Sequence, residues 1–260
     1  MHVRRTPILK FTLALSLLLP PASAASAQPS PATVSGQVLD SRGRPLSGAL
    51  IWVKPAVTTG LLTVRTDSQG RYQSPKLPNI PYYAVGYYQT EYHGQSFCLR
   101  LAAEKPGGYD AFSPDPVTGV VRNFRLQLSG KIADSSGYVS YLGSQVRLMW
   151  KGDYDAGKTV AQDSSVQTTF TPNGPMINGT PGKAVTLKAN YGNPIMEDVP
   201  VGHYRVSAVE VHADGHKTPL IVGQTDTALA ASTSFDFQPS GGCGGSTSNA
   251  GRAFLYVARP

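Results

Sequence analysis

Apolar and polar residues alternate with a period of two along most of this chain. Val34, Gly36 and Val38 alternate with polar neighbours, and Ala49, Ile51 and Val53 repeat the pattern. Phe97, Leu99 and Leu101 share one face of a segment that puts Cys98 and Arg100 on the other. Further on, Val146, Leu148 and Trp150 alternate with Gln145, Arg147 and Met149, and Val185, Leu187 and Ala189 with Thr186, Lys188 and Asn190. Successive side chains of a strand point to opposite faces, so this spacing predicts half-buried β-strands. Turn residues punctuate them: Gly43, Pro45 and Gly48 within residues 41–48, then Asp67-Ser68-Gln69-Gly70 ahead of Arg71-Tyr72. No helical period of useful length follows the first 27 residues. The pattern predicts an all-β chain.

One phrase occurs twice. Residues 35–43 read SGQVLDSRG and residues 129–137 read SGKIADSSG. Ser35, Gly36, Asp40, Ser41 and Gly43 recur as Ser129, Gly130, Asp134, Ser135 and Gly137. Self-similarity at such a distance predicts two copies of one folding unit. Phe124, Leu126 and Leu128 close the first copy on a core-facing strand. Ser234-Phe235-Asp236-Phe237-Gln238 closes the second, which puts Phe124 and Phe235 in equivalent positions. The expected organisation is a leader over 1–27, a linker over 28–31, units over 32–128 and 129–239, and a Gly/Ser tail over 240–260. The units should meet near Leu128–Gly130 with almost no linker. Each is long enough for one sandwich core.

These residues resemble the carboxypeptidase regulatory-like domain, a prealbumin-like (transthyretin-like) sandwich. The first unit carries Gly36, Val38, Asp40, Gly43, Pro45, Gly48 and Ala49 at that family's spacing, then Thr66-Asp67, Gly70, Tyr72, Leu77-Pro78 and Tyr82. The second keeps residues 129–137 and Val199-Pro200-Val201-Gly202-His203-Tyr204-Arg205-Val206. It departs from the pattern in lacking a TDxxGxY turn and in a longer middle from Lys151 to Asn193. The resemblance covers most of residues 32–239. It implies two prealbumin-like (Ig-like) antiparallel β-sandwiches in tandem. It implies a module that accompanies other domains or surface assemblies rather than one chemistry.

The first 27 residues read as a secretory leader. Arg4, Arg5 and Lys10 precede the apolar run Phe11 to Leu19, which is too short to span a bilayer, and small residues follow up to a cleavage site after Ala27. Loss of those three cations lowers the formal net charge from +7 to +4. That bias is too mild for a nucleic-acid footprint. No later apolar run reaches membrane length. The expected location is the periplasm or the cell surface.

An exported compartment gives the two cysteines meaning. Cys98 and Cys243 permit one intramolecular bridge, with free thiols or an intermolecular link as the alternatives. The segment Ala253-Phe254-Leu255-Tyr256-Val257 is a strong strand former behind a flexible tract. It is expected to add to a sheet edge in this chain or, by strand exchange, in a partner.

Two groups of side chains are candidate sites. Tyr83, Tyr87, Tyr88 and Tyr92 crowd one segment and offer a surface for sugar rings or a protein partner. His212 and His216 flank Ala213-Asp214-Gly215, which suits a three-residue hairpin loop. That geometry sets the two imidazoles opposite each other, a pair able to hold copper with help from His93 or His203. Other motifs lead nowhere. Residues 152–159 match a P-loop formally, but Asp153 and Asp155 would repel phosphate and no helix follows. Asp153-x-Asp155 lacks a third placed ligand for Ca²⁺. Residues 241–245 mimic a nucleophile elbow within low-complexity sequence. No HxxE pair supports a metallocarboxypeptidase, and no H-x-H pair an intradiol dioxygenase.

The sequence therefore points to an exported, non-catalytic binding or scaffold protein of a surface or outer-membrane assembly. It requires no cofactor, and its partner is a protein or polysaccharide of the cell envelope. The alternative is a histidine-ligated copper protein with superoxide dismutase-like activity, although the H-x-H pair of that class is absent.

Overall fold

The computed structural model describes residues 30–132, 140–152, 157–244 and 249–260. The leader, residues 133–137 of the second repeat phrase, and the Asp153-x-Asp155 motif lie outside the described residues. The first unit comprises β1 (Val34–Leu39), β2 (Leu50–Pro55), β3 (Leu62–Arg65), β4 (Arg71–Gln73), β5 (Tyr82–Tyr92), β6 (Gln95–Arg100), β7 (Ala102–Ala103), β8 (Val120–Val121) and β9 (Phe124–Arg125). The rest of the chain forms β10 (Lys131–Ile132), β11 (Ser140–Tyr141), β12 (Ser144–Trp150), β13 (Ser165–Pro172), β14 (Val185–Asn190), β15 (Ile195–Val199), β16 (His203–Val211), β17 (Lys217–Gly223), β18 (Thr233–Asp236) and β19 (Ala253–Ala258). The fold is all-β, and no helix among the described residues is long and apolar enough to cross a membrane.

Two sheets make the first unit. One runs β4-β1-β9-β7 with β8 beside β1, and the other runs β3-β2-β5-β6. The alternating residues of the sequence face each other between them: Val34, Val38, Ile51, Val53, Leu99 and Phe124 are all buried. The Asp-Ser-x-Gly phrase acts as a turn device. Asp40 Oδ1 accepts the amides of Arg42 and Arg44, both at 2.8 Å. Asp67 Oδ1 does the same for Gln69 and Arg71, again at 2.8 Å. Each carboxylate thereby replaces a backbone acceptor inside a tight turn. Gly70 ends its turn with φ 67°, and a Cβ there would run into the Val38 carbonyl. Only glycine fits.

The second unit is built differently from the first. Apart from the separate β10–β11 pair, its strands form one eight-stranded sheet in the order β14-β13-β16-β17-β19-β12-β15, with β18 against β16. Residues 191–194 join β14 to β15, the two ends of that path, so the sheet curls until its ends are neighbours. One face of each strand points into a common core that includes Val146, Leu148, Val166, Phe170, Tyr204, Val206, Val222, Phe235, Leu255 and Val257. Strand β14 is the most solvent-exposed of them, with only Ala189 fully buried. Most pairings in the molecule are antiparallel, but β1–β8, β1–β9 and β12–β19 are parallel. The terminal strand β19 therefore lies within its own chain's sheet, between β12 and β17, rather than on an outer edge.

Just past β19, Arg259 grips Glu210 of β16. Arg259 Nε is 2.7 Å from Glu210 Oε2, and its Nη2 is 2.8 Å from Oε1. The Glu210 side chain is fully buried, and Oε1 also accepts the Ala161 amide at 2.9 Å. Burial pushes this carboxyl up. The Arg259 bond, the Ala161 amide and the Ser164 hydroxyl outweigh burial and hold it below its usual value.

Two outcomes follow from this packing. Phe124→Ala and Phe235→Ala should each lower unfolding free energy by about 3–5 kcal/mol in urea melts; parental midpoints in both would refute the core roles of these two rings. Glu210→Gln should destabilise by about 1–3 kcal/mol at neutral pH. Since the folded-state pKa is depressed, that loss should be full above 4.5 and shrink as pH falls below it. Melting temperatures of both proteins across that range measure it.

Candidate functional site

Side chains that the sequence places far apart meet where the two units touch. The β5–β6 hairpin turns through His93 and Gly94, with Tyr92 paired to Gln95. Both turn residues have positive φ, 49° and 73°. This is the two-residue geometry that matches strand twist, and it puts His93 at the tip. Tyr92 stacks on the His93 ring, with centroids 4.3 Å apart and planes at 18°. The Tyr92 hydroxyl donates to the Pro175 carbonyl at 2.8 Å and accepts the His203 amide at 3.0 Å. Burial pushes this phenol up. The His203 amide opposes the rise and the nearby Asp236 charge adds to it, so the hydroxyl keeps the proton it donates.

His203 opens β16 and Asp236 ends β18, directly opposite each other in register. His203 Nδ1 lies 2.7 Å from Asp236 Oδ1, and His93 Nδ1 lies 3.6 Å from the same oxygen. The two imidazole rings are 5.2 Å apart. One ligand atom from each of the three residues falls within 4.8 Å of the other two. Gln224 clamps the Asp236 backbone from both sides, donating to its carbonyl and accepting its amide. The cluster faces solvent: the side chains of His93, Asp236 and His203 are 50%, 39% and 18% exposed.

A second set of contacts closes the same junction from the tail. Cys98 of β6 and Cys243 form a disulfide with Cα atoms 5.2 Å apart. Next to it Gly244 lies against Trp52, which packs on Tyr87, and a Cβ on Gly244 would strike the Trp52 ring. Asn249 follows, only 1% exposed. Its Oδ1 accepts the Arg100 amide at 2.7 Å, its Nδ2 donates to the Gln127 carbonyl at 3.4 Å, and its own amide donates to Leu142 at 3.2 Å. The buried side chain thus satisfies two backbone groups of the first unit, while the amide of the same residue bonds the second. Asp198 fixes the start of the second unit from within that unit. Its carboxylate accepts the Gly130 and Gly143 amides at 2.9 Å, from a backbone with φ 61°.

The candidate residues end up in separate places. Among the tyrosines, Tyr83 is 41% exposed, Tyr87 is buried against Trp52, Tyr88 packs on the core and Tyr92 is committed to the junction. The four do not share one open face. The reason is strand alternation combined with a tail that covers Trp52. The four histidines separate into two groups. His212 and His216 face each other across the β16–β17 loop, rings 5.4 Å apart, with Gly215 at φ 86° and His212 Nε2 2.9 Å from Thr218 Oγ1. His203 and His212 flank the full length of β16, about 30 Å at strand rise. A single centre built from His212, His216, His93 and His203 is therefore not assembled. Among the described residues, the set of three or more histidine, cysteine or carboxylate groups close enough for one ion is His93, His203 and Asp236. Asp236 was hidden in the sequence as a polar residue between two core phenylalanines. Asn249 and Asp198 carry no local signal at all.

Residues 33–110 match the carboxypeptidase regulatory-like domain family. No curated protein matches the chain. Among solved structures it is similar to the Bacillus anthracis TIE protein at 12% identity, over 88% of this chain and 34% of that one, with a TM-score of 0.34. It is similar to a streptococcal ancillary pilin at 13% identity, over 85% and 62% of the two chains, with a TM-score of 0.26. GBS52, the minor pilin of Streptococcus agalactiae, gives 13% identity, 86% and 94% coverage and a TM-score of 0.28. The chain spans about a third of the TIE protein and less than two thirds of the ancillary pilin. These scores are too low to establish a shared topology.

Asn249→Ala should strand the buried Arg100 amide and lower stability by about 1–3 kcal/mol, whereas Asn249→Asp keeps an acceptor oxygen and should lose less. Thermal unfolding of the two variants beside the parent measures the order; equal losses would remove Asn249 from the junction's accounting.

Proposed function

We propose that this chain is an exported, non-catalytic spacer and binding element of the cell envelope, in which two β-units are locked into one rigid body. The observation that carries the reading is the lock itself. A disulfide, a buried asparagine and the Tyr92 hydroxyl all tie the first unit to the second. Domains that move against each other usually meet through smaller, wetter contacts. Groups that could serve chemistry are used here to fix an angle between units. A disulfide between strand β6 and the tail also favours an oxidising compartment, which accords with the leader reading of residues 1–27. The match over residues 33–110 adds a module whose fold does not prescribe an activity. The partner is a protein or polysaccharide of the envelope, and Tyr83 is an exposed aromatic on the first unit available to it.

Fractionation of the source cells, with thiol alkylation before lysis, tests the location. The chain should appear in the envelope or medium with Cys98 and Cys243 protected until reduction. Recovery in the cytoplasm with both thiols alkylated would overturn the proposal. Small-angle scattering of the oxidised chain tests rigidity: one compact shape should account for the curve, and an ensemble of separated units would refute the spacer role.

A further inference from the structure

We propose that His93, His203 and Asp236 form a divalent-metal site that bridges the two units, selective for a borderline ion such as Zn²⁺ or Cu²⁺. The donor set supports that class. Two imidazole nitrogens and one carboxylate oxygen suit zinc and copper, whereas Ca²⁺ and Mg²⁺ take oxygen ligands. The spacing supports it as well. Metal–nitrogen and metal–oxygen bonds of about 2.0–2.2 Å put neighbouring ligands of a tetrahedral ion about 3.3 Å apart. The two separations to Asp236 Oδ1, 2.7 Å from His203 and 3.6 Å from His93, bracket that value. The three ligand atoms lie within 4.8 Å of one another, so side-chain rotations without backbone rearrangement would close the site on an ion.

The surroundings hold each donor in place. Stacking on Tyr92 restrains the His93 ring, and the Tyr92 hydroxyl accepts the backbone amide of His203. Strand register sets His203 opposite Asp236, and Gln224 holds the Asp236 backbone. Partners of this kind orient metal ligands and tune their affinity. The His93 position carries its own indication. A two-residue hairpin turn with both φ values positive favours Asn-Gly or Asp-Gly, yet a histidine stands first here and its ring turns toward the opposite unit. A bare ion pair between His203 and Asp236 would need no third residue at the tip. Three protein ligands with two half-exposed side chains leave a fourth position for water or a donor from a bound partner. The ligands come from both units, so an ion there adds a second tie to the disulfide.

The test uses the full oxidised chain, without a histidine tag and stripped of metal, titrated calorimetrically with Zn²⁺ alone. One Zn²⁺ per chain should bind. His93→Asn keeps a residue that tolerates positive φ, and Asp236→Asn keeps the side chain's shape; each should weaken binding at least tenfold. His212→Ala/His216→Ala should bind as the parent does. Circular dichroism and metal-free melting establish that the variants fold; should Asp236→Asn fail, His93→Asn decides alone, since it lies at an exposed tip. No stoichiometric uptake, or uptake lost with His212 and His216 but retained in His93→Asn, overturns the site. The spacer reading would survive that result, because the disulfide and Asn249 join the units without any ion.

Discussion

A gap between β17 and β12 governs the rest of this structure. The strands of the second unit otherwise form two groups, β14-β13-β16-β17 with β18 on one side and β12-β15 on the other. Each group presents a row of unpaired backbone amides and carbonyls along its open edge. Buried edges of that kind are costly, and exposed ones invite pairing with other chains. Strand β19 fills the gap, parallel to β12 and antiparallel to β17. It turns two half-sheets into one. The Arg259–Glu210 pair then fastens the end of that strand to β16 on the far side of β17.

The path to that gap explains the junction. After β18 the chain leaves the second unit, touches β6 and the Trp52 face of the first, and returns to enter the sheet. Two contacts on this detour tie the tail to the first unit. Cys243 is tied to Cys98, and Asn249 bonds Arg100 and Gln127 through its side chain and Leu142 through its amide. Polar groups buried in such a crossing must be paired, because an unpaired one forfeits its hydration for nothing. Asp198 meets the same requirement at the other crossing, where Gly130 begins the second unit. Its left-handed backbone is a strained conformation for a non-glycine residue, offset by the charge-assisted bonds its carboxylate accepts from Gly130 and Gly143.

Much of the first unit was legible because its determinants are local. Alternation of Val34, Val38, Ile51, Val53, Leu99 and Phe124 states which face is core. The Asp-Ser-x-Gly phrases state where the chain must turn, through a carboxylate that accepts amides two and four residues on. The strand character of residues 253–257 was legible for the same reason. Its destination was not, since pairing between β19 and β12 depends on which edges remain open after the other strands are placed. The candidate sites were legible only where their residues are neighbours in the chain. The histidine pair visible in sequence, His212 and His216, is a hairpin neighbour pair, while His93 meets His203 and Asp236 across more than a hundred positions of chain. Tyrosine spacing likewise gave the faces of β5 but not the tail that covers one of them.

The disulfide also shapes how the molecule would respond to mechanical tension. Under a pull applied ahead of β1 and beyond β19, the terminal strand is the first element loaded from its side. Once it detaches, force passes from Cys243 directly into Cys98 and bypasses the chain between them. That separation is 145 residues, so at about 3.4 Å per extended residue roughly 500 Å of contour cannot be drawn out while the bond is intact. Most of the second unit and part of the first are thereby shielded. Stretching would be confined to the strands ahead of β6 and the short segment after Cys243.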